Sequence, residues 1–386
     1  MGACTAWFLA SNPDFRGKTV LVVEQDISFA KAQTKASNNC MRQQFANPIN
    51  VKMGQFAAEF VHNFGTYLNN PEAPASIPIQ NFGYLYLSDS PKLTQILQRD
   101  QRVQATCGAS TQMVQRDDLA HHFPFLHLDD IDGASWNTVD EGYYNAPLMV
   151  EWLLRDAITR RGVEYIENAV TAMGREGDVV TSVTLASGET IRVKGAVVNA
   201  AGTRADDIAR MVDIELEIEP RRRYTYIFRS PTAPLDRELP LTIDPSGVHF
   251  RQFGDDTYLV GCPPLGDDVK VAVDDFGYED GIWEKKIHPV LSKRIPHFHQ
   301  VEVIDSWVGH YDFNPFDCNI VLGPHTHVRN FHFTNGSSGH GSQQGPAVGR
   351  GVAEHIIYGE FRSLDLTPFL YDRFATGVRV VERAVI

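Results

Sequence analysis

The sequence predicts an α/β protein in which a parallel sheet covered by helices is joined to a second, mainly antiparallel β region. First, residues 1–10 have the composition of a helix built from small residues, and they lead into a continuous apolar run over residues 17–25. A strand that is apolar throughout is typical of a parallel sheet buried on both faces. Second, this alternation of helix and strand stops at Pro71, resumes near Tyr143 and stops again near Glu215. Third, 386 residues exceed what one hydrophobic core usually organises, so we expect two domains.

The remaining elements follow from periodicity and turn residues. Apolar residues at helical spacing predict helices over residues 51–67 and 148–161, and a third helix, 343–358, follows a glycine-rich turn. Residues 179–193 predict a hairpin that turns at Ala186–Glu189. Strands are predicted, in chain order, at residues 83–87, 163–166, 195–202, 224–228, 247–251, 258–261 and 331–334.

These elements assign separate stretches of the chain to each domain. Two insertions, rich in short β runs and turn residues, form the mainly antiparallel domain. The parallel-sheet domain is predicted to comprise residues 1–78, 143–213 and 318–386, and the antiparallel domain residues 79–142 and 214–317.

Composition excludes several classes of function. The chain has 35 Lys and Arg against 48 Asp and Glu, and a net charge of −13 argues against a nucleic-acid partner. No apolar run approaches twenty residues, so no membrane span is expected. The five cysteines are scattered, and no His pair has acids at ligand spacing, so no metal site is expected. Unpaired thiols indicate a reducing compartment: the cytoplasm, or the mitochondrial matrix in a eukaryote.

The first motif joins Gly2 and Glu24. In a dinucleotide-binding βαβ unit, the last glycine of G-x-G-x-x-G permits close helix–strand packing, and an acid about twenty residues later binds a ribose hydroxyl. The first two glycines would precede Met1, and residues 1–10 read as a helix body without an N-cap. We therefore expect a strand and these glycines upstream of Met1 in the intact protein. The alternative is a buried strand ended by a solvated acid.

The second motif is the polar stretch 37–45. Short Ser and Asn side chains and exposed amides suit a pyrophosphate or the edge of a flavin ring, and Arg42 could lie beside a developing negative charge. The alternative is a simple helix N-terminus.

The third motif, residues 334–350, carries Gly339, His340 and Gly341 in a strand-to-helix turn. Glycines let the backbone approach a ligand closely, and the helix that follows directs its positive N-terminal end at that ligand. A flat, negatively charged cofactor would be stabilised there. The alternative is a tight turn with a purely structural role.

In this order, with Asn199–Gly202 between them, the three motifs resemble the D-amino-acid oxidase/sarcosine oxidase superfamily of FAD-dependent oxidoreductases over nearly the whole chain. The resemblance implies a discontinuous Rossmann-type FAD domain and a substrate domain. It implies that the ADP and phosphate half of FAD contacts Gly2, Glu24, Gln25, Ser37, Asn38, Asn39, Val170, Ala200 and Gly202. It implies that the flavin ring is surrounded by Arg42, Gly339, His340, Gly341, Gln343 and Gln344.

Departures from the family pattern refine these expectations. Members of sarcosine oxidase type attach FAD through a cysteine where this chain has His310, so we expect non-covalent FAD. Those members hold the substrate carboxylate with a lysine and an arginine where this chain has Gln343 and Phe45. The run 258–261 lacks the lysine that promotes reaction with oxygen in such oxidases. This favours a dehydrogenase that passes electrons to a quinone or a protein.

Three further residues are candidates for the substrate site. Alternation along residues 247–252 puts His249 and Arg251 on one face, which would meet either a ligand or solvent. Tyr226, on the neighbouring run, is a similar candidate. The catalytic candidates are therefore Arg42, His340, His249, Arg251 and Tyr226.

The predicted reaction is oxidation of a CH–NH bond in a small amine or amino acid, with hydride passing to flavin N5. An alternative from another class is a flavoprotein that acts as an assembly or scaffold factor and keeps FAD for structure. The absence of the lysine and the arginine that hold a substrate carboxylate in related oxidases favours this alternative. A third reading is a protein that retains no FAD, if Met1 is the true start.

Overall fold

The computed structural model describes residues 1–231 and 238–384. Its helices are α1 Gly2–Ser11, α2 Gln33–Ala36, α3 Pro48–His62, α4 Phe64–Leu68, α5 Pro91–Thr106, α6 Arg116–His122, α7 Ala146–Arg161, α8 Ala205–Arg210, α9 His288–Arg294, α10 Gly341–Tyr358 and α11 Asp372–Thr376. Its longer strands are β1 Leu21–Glu24, β3 Tyr84–Ser88, β4 Gln112–Gln115, β5 Gly133–Asn137, β7 Glu164–Glu167, β8 Val170–Glu176, β9 Val179–Leu185, β12 Glu219–Arg229, β14 His249–Gln252, β15 Thr257–Cys262, β16 Glu302–Phe313, β17 Val321–Pro324 and β18 Phe331–Asn335. Shorter strands are β2 Cys40–Met41, β6 Gly142–Tyr143, β10 Thr190–Arg192, β11 Val197–Asn199 and β13 Leu241–Ile243.

The largest sheet has eight strands in the order β16-β12-β15-β14-β13-β3-β5-β4. Its strands come from residues 84–137 and 219–313, and every pairing except β13 with β3 is antiparallel. One face is covered by an aromatic core in which Phe228, Tyr258 and Phe298 contact one another. This sheet is the sheet-rich second part that the sequence predicts.

Two further parallel pairings lie outside this sheet, between β1 and β7 and between β11 and β18. Helices α1, α3 and α10 pack together beside these strands. Gly349 of α10 permits the close approach of α1, because a Cβ there would lie 2.5 Å from the Cβ of Cys4. The α/β fold with a Rossmann-type part and a sheet-rich part is confirmed, whereas the exact domain boundaries stay a prediction.

Several predicted elements are confirmed. Helix α7 begins near the predicted residue 148, because Asn145 caps it by accepting a hydrogen bond from the Leu148 N–H at 3.0 Å. The hairpin 179–193 forms as β9 and β10. The predicted helix 51–67 is two helices, since the chain breaks at Asn63, which has φ −104° and ψ 24°.

Helix α5 was not predicted. Apolar residues do recur at helical spacing over Leu93–Val103, but they are few among polar neighbours, and only Asp100 and Gln104 of its sixteen residues are buried. The signal that could have found it is Ser90 followed by Pro91, an N-cap with proline at the first helical position.

Within residues 1–231 and 238–384, no helix has both the length and the apolar character that crossing a bilayer requires.

Candidate functional site

A small cavity lies where the polar stretch after α2 meets the turn before α10. Its volume is about 50 Å³. Three regions singled out in the sequence line it together: Ser37, Asn38, Asn39 and Arg42 from the second motif, Gly339 and Gln343 from the third, and His249 from the large sheet. Tertiary structure therefore brings together residues that lie about 300 positions apart in the chain.

The turn before α10 depends on glycine and on one buried carboxylate. Gly339 has φ +90°, and a Cβ there would lie 2.5 Å from the ring of Tyr311. Asp312, fully buried, accepts hydrogen bonds from the N–H groups of Gly336 at 2.9 Å and Ser337 at 3.1 Å. Gly339 thus lets the backbone pass close to the Tyr311 ring, and Asp312 holds the turn in place, whereas the predicted approach to a ligand stays a prediction.

Arg42 is buried at the centre of the site. Its guanidinium donates to the Tyr86 hydroxyl and, at 2.5 Å, to the carbonyl oxygen of Ala384, and it lies 4.5 Å from the centre of the Phe45 ring. Burial alone would lower the pKa of Arg42, but the neighbouring tyrosines and the buried carboxylates of Glu382 and Glu141 raise it above its ordinary value. Arg42 is therefore a permanent buried cation.

Glu141 supports the backbone next to Arg42 and was not found by sequence reasoning. Its carboxylate is buried and accepts hydrogen bonds from the N–H of Gln43 at 2.7 Å, the N–H of Gln44 at 3.1 Å and the Gln44 side-chain amide at 2.8 Å. Burial raises the pKa of Glu141 to about 7, and these donors and Arg42 oppose the rise. No local pattern around residue 141 marks this role, since its partners lie about 100 residues away.

His340 and His249 are buried and neutral at pH 7. Burial, followed by the charge of Arg42, places the pKa of His340 well below its ordinary value. Burial lowers the pKa of His249 to about 4, and the charges of Arg223 and Arg42 add to this effect. The His249 ring fits because Gly261 faces it: a Cβ at Gly261 would lie 2.4 Å from His249 Nε2.

Arg251 lies beside this cavity, and Tyr226 lies on the other face of its sheet. Arg251 donates to the Asn38 carbonyl oxygen at 3.5 Å and lies 4.9 Å from the centre of the Tyr143 ring. Tyr226 packs against Trp283 and belongs to the aromatic core. Since neighbouring residues of a strand face opposite sides, the cavity is lined instead by Thr225.

Arg223 of β12 also lines the cavity. Both terminal nitrogens of Arg223 bind Asp268, at 3.0 and 2.9 Å. The described ion pairs of all three arginines connect residues within 219–275. Most of them therefore connect β12 with the segment 268–275, which follows β15.

Apart from Ser37, Asn38 and Asn39, the residues predicted to contact the ADP half of FAD do not line this cavity. A Cβ at Gly2 would lie 3.0 Å from the Ala200 Cβ, and Gly202 has φ +55°. Glu24 ends β1 and accepts a hydrogen bond from the N–H of Asp26 at 3.0 Å. Gln25 is exposed, and Val170 begins β8.

The fold and these residues define an α/β oxidoreductase that uses a dinucleotide cofactor. Residues 1–355 match the family described as FAD dependent oxidoreductase, and the chain belongs to that family. Its cofactor is therefore FAD, as the sequence predicted.

Two curated relatives have similar sequences along most of their length. FAD-dependent oxidoreductase domain-containing protein 1 of Bos taurus is 32% identical over 400 residues, which cover 95% of this chain and 81% of the bovine protein. The protein of the same name from Xenopus laevis is 32% identical over 421 residues, covering 100% and 83% of the two chains.

Two solved structures have a similar fold. The L-proline dehydrogenase from P. horikoshii has a TM-score of 0.82 at 22% identity and covers 98% of this chain and 96% of its own. The glycine oxidase from Geobacillus kaustophilus has a TM-score of 0.77 at 18% identity and covers 96% and 95%. At these identities the likeness concerns the fold.

The chemistry of the site fits FAD. Within the described part of the chain, several buried polar atoms of the residues predicted to contact FAD have no hydrogen-bond partner: Asn38 Oδ1, Asn39 Oδ1, Arg42 Nε and Gln344 Oε1. Leaving such an atom unpaired costs about 1–3 kcal/mol, so these atoms favour a polar ligand.

Proposed function

We propose that this protein is a FAD-dependent dehydrogenase that oxidises a CH–NH bond of a small amine or amino acid. The observation that carries the proposal is the buried Arg42 cation beside neutral His249 in one cavity. Bound FAD would supply the acceptor for the hydride that leaves the substrate carbon. The protein contributes positioning and electrostatics.

The proposed FAD contacts are those predicted from the resemblance. Asn38 and Asn39 would offer polar side chains, and Gln344 its free amide oxygen, while Arg42 would place positive charge beside the ring. Non-covalent attachment is supported by His310: it occupies the position of the linking cysteine, binds the Asp275 carbonyl oxygen through Nε2 at 2.8 Å, and stacks on Phe276.

The charges of the cavity favour a substrate that carries a carboxylate and a neutral nitrogen. Arg42 and Arg223 line the cavity, and Arg251 lies beside it, so a protonated amine is repelled and a carboxylate is attracted. His249 and His340, both neutral, would donate or accept hydrogen bonds without adding charge. Tyr226 would contribute only through its packing in the aromatic core on the other face of the large sheet.

Substrate binding therefore favours the deprotonated amine, and we expect kcat/KM to rise with pH through an amine-like pKa. Burial raises the pKa of Glu141 to about 7, so its ionisation would add a separate step to the pH profile of kcat/KM. That step should vanish in Glu141→Gln while the amine-dependent rise persists. A flat profile in both proteins would contradict the mechanism.

A dehydrogenase is favoured over an oxidase because β15, Thr257–Cys262, contains no lysine. The electron acceptor would be a quinone or a protein. The five cysteines are all free, which supports a reducing compartment, the cytoplasm or the mitochondrial matrix.

The test is anaerobic titration of the FAD-loaded protein with glycine, sarcosine, L-proline and D-alanine, while the flavin absorbance is followed. Bleaching by one compound supports the proposal, and slow recovery in air supports the dehydrogenase. The matched control replaces the substrate nitrogen by oxygen, as tetrahydrofuran-2-carboxylate does for proline, and should not bleach the flavin.

A second candidate is a flavoprotein scaffold with FAD in a structural role. It is favoured by Gln343 and Phe45, which stand where related oxidases hold a substrate carboxylate. Two results together would select this candidate. The flavin would remain oxidised with every compound, and the unfolding temperature of the protein would rise when FAD binds.

A further inference from the structure

A second cavity, of about 730 Å³, opens on the outer side of the segment between β1 and β2. It is lined by Lys31, Lys35, Ala36, Phe276 and Trp307. Its volume is within the range of about 300–1,000 Å³ that is typical of small-molecule sites. None of the residues assigned above to FAD or to the amine substrate lines it.

A thin wall separates this outer cavity from the Arg42 cavity. Ala36 lines both cavities. The Trp307 indole N–H donates to the Ala36 carbonyl oxygen at 2.9 Å, and a Cβ at Gly309 would lie 2.8 Å from the Ala36 Cβ. The segment is therefore pressed against β16, and a ligand in the outer cavity lies one residue away from the site where FAD is proposed.

The outer cavity is positively charged, although the protein carries a net charge of −13. Lys31 makes no ion pair within the part of the chain that the structure describes, and its ammonium lies 5.4 Å from the centre of the Phe276 ring. Lys35 donates to the Ser28 carbonyl oxygen at 2.7 Å. The acid on the cavity wall, Asp274, is paired with Arg204 at 2.7 Å. The charge of Lys31 thus remains available to an anion.

The cavity also presents flat aromatic surface. Phe276 is half-buried, and its ring is held by the His310 ring, which stacks behind it with a centroid separation of 4.3 Å and an angle of 10°. Trp307, likewise half-buried, lines the same cavity and is fixed by its hydrogen bond to Ala36. Two rigid rings favour a ligand that is itself planar and conjugated.

We propose that the outer cavity binds a planar aromatic anion and that this ligand is the electron acceptor of the enzyme. The second half of the proposal rests on the proposed dehydrogenase function. The amine loses two electrons and two protons to become an imine, and a quinonoid acceptor gains two electrons and two protons to become its hydroquinone or leuco form. Lys31 would bind the negative charge of the acceptor, and Phe276 its ring.

The probe for binding is 2,6-dichlorophenolindophenol, a conjugated anion at neutral pH, titrated calorimetrically into the oxidised, FAD-loaded protein. We expect Lys31→Glu to weaken binding by about tenfold or more, because it replaces an attractive charge by a repulsive one. The control is Lys18→Glu, which makes the same charge change at an exposed lysine that also lies over a phenylalanine, 5.3 Å from the centre of the Phe15 ring. The control should bind the probe as the wild type does.

Kinetics distinguish a failure of this inference from a failure of the proposed function. Anaerobic flavin reduction by the amine tests the proposed function alone and should be unchanged in Lys31→Glu. Reoxidation of the reduced protein by the indophenol anion should slow about tenfold, whereas reoxidation by phenazine methosulfate, a planar cation, should not. If no amine reduces the flavin, the binding titration still tests the site.

Three results would overturn the inference. The first is no measurable binding of the probe, and the second is equal binding of the probe by Lys31→Glu and Lys18→Glu. The third is displacement of the probe by the amine substrate, which would place the probe in the Arg42 cavity. Phe276→Leu provides a second test, since it keeps the charge and removes the ring. Phe276→Leu should weaken binding of the aromatic probe. Its unfolding temperature should stay close to that of Lys18→Glu, so that the loss of binding does not reflect a loss of folding.

Discussion

Glu141 and Gln44 are joined by two hydrogen bonds, from the backbone N–H of Gln44 at 3.1 Å and from its side-chain amide at 2.8 Å, and both residues are buried. The Gln44 amide donates also to the Tyr84 carbonyl oxygen at 3.0 Å, and its oxygen accepts from Ser135 at 2.8 Å. The stretch that carries Arg42 is thereby tied to the large sheet. Glu141 acts on the site through this backbone.

Glu141→Gln tests this support. The carboxylate accepts three N–H donors, and a glutamine would direct an NH₂ group at one of them, so we expect a loss of about 1–3 kcal/mol in the free energy of unfolding. FAD affinity should fall with it. Urea denaturation and flavin content measure both effects. Glu72→Gln, at an exposed carboxylate, is the control and should change stability by less than about 0.5 kcal/mol.

Gly339→Ala tests the close approach at the third motif. The alanine Cβ would overlap the Tyr311 ring in a backbone with φ +90°, so we expect flavin content to fall sharply and the unfolding temperature to drop. Gly188→Ala is the matched control, because Gly188 has φ +92° and no atom near the Cβ position. Equal loss of flavin in both variants would show that backbone strain alone is responsible.

Arg42→Lys tests the buried guanidinium. Lysine retains the charge, but it lacks the two terminal guanidinium nitrogens that donate to the Tyr86 hydroxyl and the Ala384 carbonyl oxygen. We therefore expect the rate of anaerobic flavin reduction to fall about 10- to 100-fold. Stopped-flow absorbance measures this rate. Arg99→Lys, at an exposed arginine, should leave it unchanged. An unaltered rate in Arg42→Lys would remove Arg42 from the reacting site.

The buried histidines predict acid sensitivity. Burial, then the neighbouring His355, lowers the pKa of His332 to about 4, from 6.5. Between these values the unfolded chain binds more protons than the native one, so stability is complete above pH 6.5 and declines as the pH falls toward 4. From pH 6.5 to 5 this residue accounts for at most about 2 kcal/mol. Denaturant midpoints at the two pH values should differ less in His332→Gln than in the wild type.

The sequence predicted the elements whose signals are local. Helix α7 has an Asn cap and an early proline, and Gly339 lies in a turn whose composition already indicated a close ligand approach. Helix α5 was missed because its few apolar residues lie among many polar ones, although Ser90 and Pro91 mark its start. The break at Asn63 was missed because the apolar spacing continues across it.

The sequence by itself determined the α/β class and the segments that carry the motifs, since glycine patterns and apolar periodicity are properties of neighbouring residues, and the family resemblance of those motifs indicated FAD. Only the tertiary structure decided which side chains share a cavity. It placed the Glu141 carboxylate against the backbone next to Arg42 and buried Tyr226 in the aromatic core. It also brought Lys31 over the ring of Phe276, which lies some 245 residues further along the chain. Such contacts depend on strand register and on the packing of distant segments, and no local pattern encodes them.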